Sequence, residues 1–152
     1  MGVAFLSGQR SKDPRTQVGA CIVNKDKRIV STGYNGMPNS CSDDDLPWER
    51  EEGTLKNKHL YVCHAEMNAV VNTFSESLKG CTMYVSLFPC NECTKIIIQA
   101  GITEIWYYSD KKKGDPKDIA SRKMLRMAKV KIRRFPRQKE SIKIDFNVNE
   151  NS

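Results

Sequence analysis

Two short segments, His64-Ala65-Glu66 and Pro89-Cys90-Asn91-Glu92-Cys93, most constrain what this chain can fold into. Cys90 and Cys93 are an i, i+3 pair, and on the first turn of a helix such a pair points to one side. Pro89 suits a chain entering a helix from an extended segment. His64 and Glu66 are two residues apart, a spacing that in mid-helix separates side chains onto different faces. They converge only where a helix begins right at His64. Tyr61-Val62-Cys63 reads as extended and 65–74 reads as helix, so the sequence predicts such a start. Two helix N-termini then face one point.

The residue types at that point suit a metal. An imidazole and two thiolates are three ligands of the kind zinc takes, and a catalytic tetrahedral site leaves the fourth position to water. The free N–H groups of a helix start favour thiolate over thiol at Cys90 and Cys93. Zinc lowers the pKa of water from about 15.7 toward about 7, which makes a nucleophile available at neutral pH. Glu66 lies between a ligand and an apolar helix face (Ala69, Val70). A carboxylate there, close to the metal and unbound by it, can move protons. A closed zinc knuckle with Glu66 as fourth ligand, or a chance spacing, uses the same residues; the open site is the expectation.

At 152 residues the chain is expected to be one domain over 1–146, with 147–152 as a C-terminal tail. No apolar run approaches membrane-spanning length and no secretory leader pattern is present, so no membrane partner is expected. Cys21 and Cys81 sit among apolar strand-like residues, as small buried thiols do. A reducing, cytoplasmic location follows as an expectation. The net charge of +7 is unevenly placed. An acidic loop (Asp43, Asp44, Asp45, Glu49, Glu51, Glu52) precedes the metal motif, and 13 of the 25 basic residues fall in 111–139. Such a stretch favours anionic partners: nucleotide phosphates, nucleic acid or a neighbouring subunit's acidic loop. A solvated basic helix face is the plainer reading.

Apolar periodicity and turn residues predict a short helix over 2–9 docking Val3, Phe5 and Leu6, then a hairpin of 17–23 and 29–33. Strands are expected over 82–87, 104–108 and 130–135, with a short terminal one over 141–146. A helix after Pro89 ends near Gly101, and another from about Pro116 is expected to bury Ala120, Met124, Met127 and Ala128. Strand–helix–strand order after residue 82 implies a parallel portion beside the hairpin. The expected fold is a three-layer α/β/α sandwich around a mixed five-stranded sheet.

The metal segments carry the His-x-Glu…Pro-Cys-x-x-Cys signature of zinc nucleobase deaminases. Further segments are Ala4-Phe5-Leu6-Ser7, Gln9-Arg10-Ser11-Lys12-Asp13-Pro14, Gln17-Val18-Gly19-Ala20 and Gly33-Tyr34-Asn35-Gly36-Met37-Pro38. Over about 3–146 the chain resembles the deoxycytidylate deaminase family of the cytidine deaminase-like superfamily. The metal motif is common to the superfamily; the Ser-Lys-Asp-Pro and Gly-Tyr-Asn-Gly segments narrow it to the deoxynucleotide branch. The resemblance implies zinc on His64, Cys90 and Cys93, Glu66 as proton shuttle, and Asn35 at the deoxyribose. It places the turn of Arg10, Ser11 and Lys12 near the substrate phosphate. It implies hydrolysis of dCMP to dUMP and ammonia, supplying dUMP for dTMP synthesis. Family members are typically homo-hexamers activated by dCTP and inhibited by dTTP, with Gly33, Tyr34, Asn35 and Gly36 tied to the regulatory site.

The Ala65 N–H at the helix start is an expected donor to the pyrimidine O2, and the Phe88 carbonyl an expected acceptor from the 4-amino group. Three features depart from the family: relatives carry a longer N-terminal helix, a tyrosine where this chain has Lys112, and a slightly longer loop after Trp48. Cys41, His59 and Cys63 are zinc-competent types that could form a second, structural site. Two rival readings share the motif. One is a deaminase of bases flipped out of tRNA or DNA, which suits the basic stretch; the deoxynucleotide segments and the lack of an aromatic-rich accessory surface argue against it. The other is a catalytically silent nucleotide-binding paralogue.

Overall fold

The computed structural model describes residues 1–75, 77–136 and 141–143. The elements run α1 (Gly2–Gly8), β1 (Gly19–Val23), β2 (Ile29–Tyr34), a 3-10 turn (Lys58–Leu60), α2 (Ala65–Val71), β3 (Thr82–Leu87), α3 (Asn91–Gln99), β4 (Glu104–Ser109), α4 (Pro116–Met127) and β5 (Lys131–Arg134). They build one five-stranded sheet of order β2-β1-β3-β4-β5. β1 is antiparallel to both β2 and β3, while β3, β4 and β5 are parallel. Parallel neighbours need crossover connections, and α3 and α4 supply them. The register sets Leu87 opposite Ser109, so the ends of β3 and β4 lie side by side where the loops to α3 and α4 begin.

Helices cover both faces, as the sandwich expectation requires. Gly19 faces α1: a Cβ there would lie 1.8 Å from the Ala4 carbonyl oxygen. Gly33 pairs with Ala20, the next residue along β1, and faces α2, where a Cβ would lie 2.3 Å from the Ala65 carbonyl oxygen. Neighbouring residues of a strand point to opposite faces, so α1 and α2 sit on opposite sides. The core gathers Ala20, Ile22, Ala69, Met83, Val85, Ile97, Ile105 and Leu125.

Several expected details differ. α1 buries Ala4 and Gly8, not Val3, Phe5 and Leu6; Leu6 is 60% exposed. The helix lies so close to β1 that only small residues fit between them. α2 ends at Val71, leaving Phe74 99% exposed. α4 buries Asp118, Ser121 and Leu125, whereas Ala120, Met127 and Ala128 face outward. Ser121 is inside because its hydroxyl bonds to Thr94 Oγ1 at 2.6 Å and donates to the Pro89 carbonyl at 3.0 Å. Residues 141–143 form no strand; 144–146 of the expected terminal strand, and the tail 147–152, lie outside the described residues.

Part of the basic stretch guards a sheet edge. β5 is an edge strand with Lys131, Arg133 and Arg134 exposed, and charged residues block edge-to-edge pairing. Arg133 donates to Glu104 at 2.7 Å and stacks 5.6 Å from the Trp106 ring centroid. Among the described residues, no helix is long and apolar enough to cross a membrane.

Candidate metal centre and catalytic cavity

His64 and Cys90 each occupy the N-cap of a helix, in extended backbone (ψ 157° and 172°). Two backbone bonds between Gly36 and Cys63 (2.9 and 3.1 Å) hold the approach to His64. The Asn68 amide donates to the Tyr34 carbonyl at 2.8 Å, which ties α2 to the end of β2. Cys90 follows β3 directly; the Phe88 N–H donates to the Ser109 carbonyl at 2.8 Å and Ser121 grips the Pro89 carbonyl. Each ligand is therefore fixed at a helix start, Cys90 by the end of β3 and His64 by the Gly36–Cys63 bridge that closes the long connection after β2.

His64 Nδ1 lies 3.4 Å from Cys90 Sγ and 3.3 Å from Cys93 Sγ, and the three ligand atoms lie within 4.8 Å of one another. Tetrahedral zinc with Zn–N of about 2.0 Å and Zn–S of about 2.3 Å separates such atoms by roughly 3.5 Å, so this set fits zinc. Glu66 is not one of the group. Neither are Cys41, His59 and Cys63, and among the described residues no second ligand group exists. The three do not gather within ligand distance, so the possible second, structural site is not formed. All six cysteines are free thiols.

The hydrogen bond from Cys93 holds the Cys90 thiol down to about 3, against the effect of burial. The same bond, with burial, pushes Cys93 up. Both sulfurs would hold a dication as thiolates, since ligand thiols deprotonate on binding metal. His64 is pushed up, first by its bond to Cys90. Glu66 is 4% exposed, and burial pushes its carboxyl up; the His64 charge and a hydrogen bond with Cys93 oppose this without reversing it.

A cavity of about 310 Å³ opens beside this group, lined by His64, Ala65, Glu66, Phe88 and Cys90. Arg122 stacks 4.0 Å from the Phe88 ring centroid and is held by Asp110 at 2.7 Å and Asp118 at 3.0 Å. Across the cavity lie Asp13, Asn35 and Lys58, and Arg50, Lys111, Lys112 and Lys117 also line it.

Of the residues expected from sequence, Asn35, Ala65, Glu66 and Phe88 all line this cavity with the ligands His64 and Cys90. Arg10, Ser11 and Lys12 do not. Ser11 is buried and donates to the Asn35 carbonyl at 2.7 Å. Lys12 pairs with Asp43 at 3.0 Å. Arg10 stacks 5.2 Å from the Tyr34 ring centroid, in a separate depression shared with Gly33, Gly36, Met37 and Pro38. The sequence reading missed Lys58, Arg50 and Lys117; no local pattern singles out these cations in a polar connection and at the start of α4.

Residues 1–109 match the family described as the cytidine and deoxycytidylate deaminase zinc-binding region. The chain is 57% identical to human deoxycytidylate deaminase over 148 residues, covering 97% of this chain and 83% of that one. It is 49% identical to a probable deoxycytidylate deaminase of Drosophila melanogaster, covering 97% and 75%. The crystal structure of the dCMP deaminase of cyanophage S-TIM5 with dCMP and dUMP superposes with a TM-score of 0.70 at 27% identity, covering 88% and 92%. Sheet order, ligand geometry and kinship agree: the chain belongs to the deoxycytidylate deaminase family of zinc-dependent hydrolytic deaminases.

Proposed function

We propose that the protein hydrolyses dCMP to dUMP and ammonia. The observation that carries this reading is the burial of Glu66 beside the His64, Cys90 and Cys93 group yet outside it, in a cavity with cations along its wall. The human relative's name and the dCMP and dUMP held by the cyanophage enzyme support the choice of substrate. His64, Cys90 and Cys93 would hold zinc, which when bound makes water acidic enough to serve as a nucleophile near neutral pH.

The rest is done by the chain's own groups. Glu66 accepts a proton from the attacking water and delivers it to the ring N3, which makes C4 electrophilic, and the water oxygen bonds to C4; Glu66 then carries the second proton of that water to the amine, and the C4–N bond breaks to release ammonia. The Ala65 N–H holds O2 and the Phe88 carbonyl accepts from the 4-amino group. Asn35 Oδ1 already accepts from the Val18 N–H at 2.7 Å, and its second lone pair is left for a sugar hydroxyl. The phosphate is assigned to Lys112 and Arg50 on the cavity wall in place of the Arg10, Ser11 and Lys12 turn.

The depression with Arg10, Gly33, Tyr34 and Gly36 is assigned to dCTP as activator and dTTP as inhibitor, where Arg10 offers charge to the triphosphate. The working form is assigned as a homo-hexamer. The test is to supply dCMP, CMP, deoxycytidine and a cytosine oligonucleotide separately, with and without dCTP and dTTP, and to follow ammonia release. Ammonia from dCMP, raised by dCTP and lowered by dTTP, with a six-chain mass in sedimentation, is the expected result. Turnover of the oligonucleotide with dCMP ignored overturns the substrate assignment.

A further inference from the structure

Lys58 is 2% exposed, and its ammonium pairs with the Asp13 carboxylate, itself buried. Neither residue takes part in the chemistry above, yet both line the catalytic cavity. A buried ion pair is weak evidence for stability, because apolar residues of the same size often serve as well. Its partners show what it holds in place.

Every acceptor site of Asp13 has a fixed donor. Oδ1 accepts from the N–H groups of Arg15 at 2.9 Å and Thr16 at 3.1 Å; Oδ2 meets Lys58 and the Asn35 amide, the latter at 3.2 Å. The Asn35 Nδ2 also donates to the Thr16 carbonyl at 3.1 Å. Both amide hydrogens therefore go to acceptors set by the 13–16 turn. Turning the amide over would put Asn35 Oδ1 against the Asp13 carboxylate, oxygen to oxygen. Lys58 also anchors the approach to the metal. Its N–H donates to the Glu49 carbonyl at 2.8 Å, and its carbonyl accepts from Tyr61 at 3.0 Å and Val62 at 2.9 Å, just before His64.

We propose that Lys58 is a positioning residue: through Asp13 it fixes the Asn35 amide so that Oδ1 stands as the acceptor for the 3′-hydroxyl of a deoxynucleotide. This rests on the dCMP reading above. Without the ammonium, Asp13 is an uncompensated buried charge that must swing out or take a proton. Either change takes a fixed acceptor from the Asn35 amide and loosens the 13–16 turn that carries the Thr16 carbonyl, so that the Val18 N–H is left as the firm anchor of Oδ1.

The experiment compares wild type, Lys58→Met and the double variant Lys58→Met/Asp13→Leu. It reads zinc content, kcat and KM with dCMP, and kcat/KM with 2′,3′-dideoxycytidylate. One hydrogen bond of this kind makes wild type favour dCMP over the dideoxy compound by about tenfold. In Lys58→Met that preference falls to within about twofold, KM for dCMP rises about tenfold, and kcat and zinc content hold within about threefold. Should Lys58→Met not fold, the double variant, which leaves no unpaired charge, carries the comparison and also loses the preference. A preference kept by either variant overturns the proposal and leaves the pair a packing device. Zinc and kcat collapsing together with KM overturns it too. If wild type itself ignores dCMP, the substrate assignment fails, and the positioning role fails with it.

Discussion

Burial pushes the Glu66 carboxyl up, and the neighbouring His64 charge does not reverse this. Removing its acid–base capacity while keeping its size separates catalysis from metal binding. Glu66→Gln is expected to retain zinc, as the carboxyl is outside the ligand group, and to lower kcat by about 10²–10⁴-fold. Retained zinc with near-normal turnover would remove Glu66 from the mechanism. The phosphate assignment predicts a second contrast. Lys112→Ala raises KM for dCMP about tenfold with deoxycytidine unaffected, whereas Lys12→Ala, whose ammonium is held by Asp43, changes neither by more than about twofold. The reverse pattern returns the phosphate to the Arg10–Lys12 turn. Asp13 gives a pH signature. Burial raises its carboxyl, but Lys58 and two backbone N–H groups outweigh it and hold the group below its ordinary value. A depressed folded value means stabilisation that is complete above the ordinary carboxylate value of about 3.9 and lost as pH falls through the folded one. Thermal unfolding followed from neutral pH downward is expected to show a shallower acid loss in Asp13→Asn than in wild type, and equal slopes would exclude this contribution.

The elements matter through where they start. α2 and α3 are short, and their N-caps carry His64 and Cys90. Gly33 lets α2 lie against β2, since a Cβ there would meet the Ala65 carbonyl oxygen at 2.3 Å and the Ala69 nitrogen at 2.4 Å. These are backbone atoms that cannot turn aside. Gly33→Ala is therefore expected to destabilise the fold by about 1–3 kcal/mol and to weaken zinc binding, because the displaced helix start carries His64. Calorimetry and a competitive zinc titration check both effects; a loss of stability with unchanged zinc affinity would uncouple the helix start from the ligand. The elements also mark where sequence patterns failed. On α1 Val3, Phe5 and Leu6 face outward while Ala4 and Gly8 face inward, and on α4 Ile119 and Met127 face outward while Ser121 lies inside with Leu125. Helix periodicity reports one apolar stripe, but close approach to β1 and the bond from Ser121 to Pro89 override it.

For the whole molecule, the metal ties together parts that are distant in sequence. His64 comes from the β2 side of the sheet, and Cys90 and Cys93 from the end of β3. A ligand that binds only the folded chain stabilises it by mass action, about 4 kcal/mol at a thousandfold excess over Kd. Chelation is accordingly expected to lower the unfolding temperature by several degrees and abolish deamination, with both restored by added zinc; an unchanged unfolding temperature would contradict the ligand set. The gathering of His64, Cys90 and Cys93, the placement of Glu66 beside them, the five strands and the mixed sheet were legible along the chain, because i, i+3 spacing, helix-start residues and apolar alternation are local signals. Tertiary structure alone decided which cations face the cavity, that Ser11 and Lys12 are committed elsewhere, and that Lys58 lies buried against Asp13. Those outcomes depend on pairings between segments tens of residues apart, and a charged side chain carries no mark in the sequence of the partner it will meet.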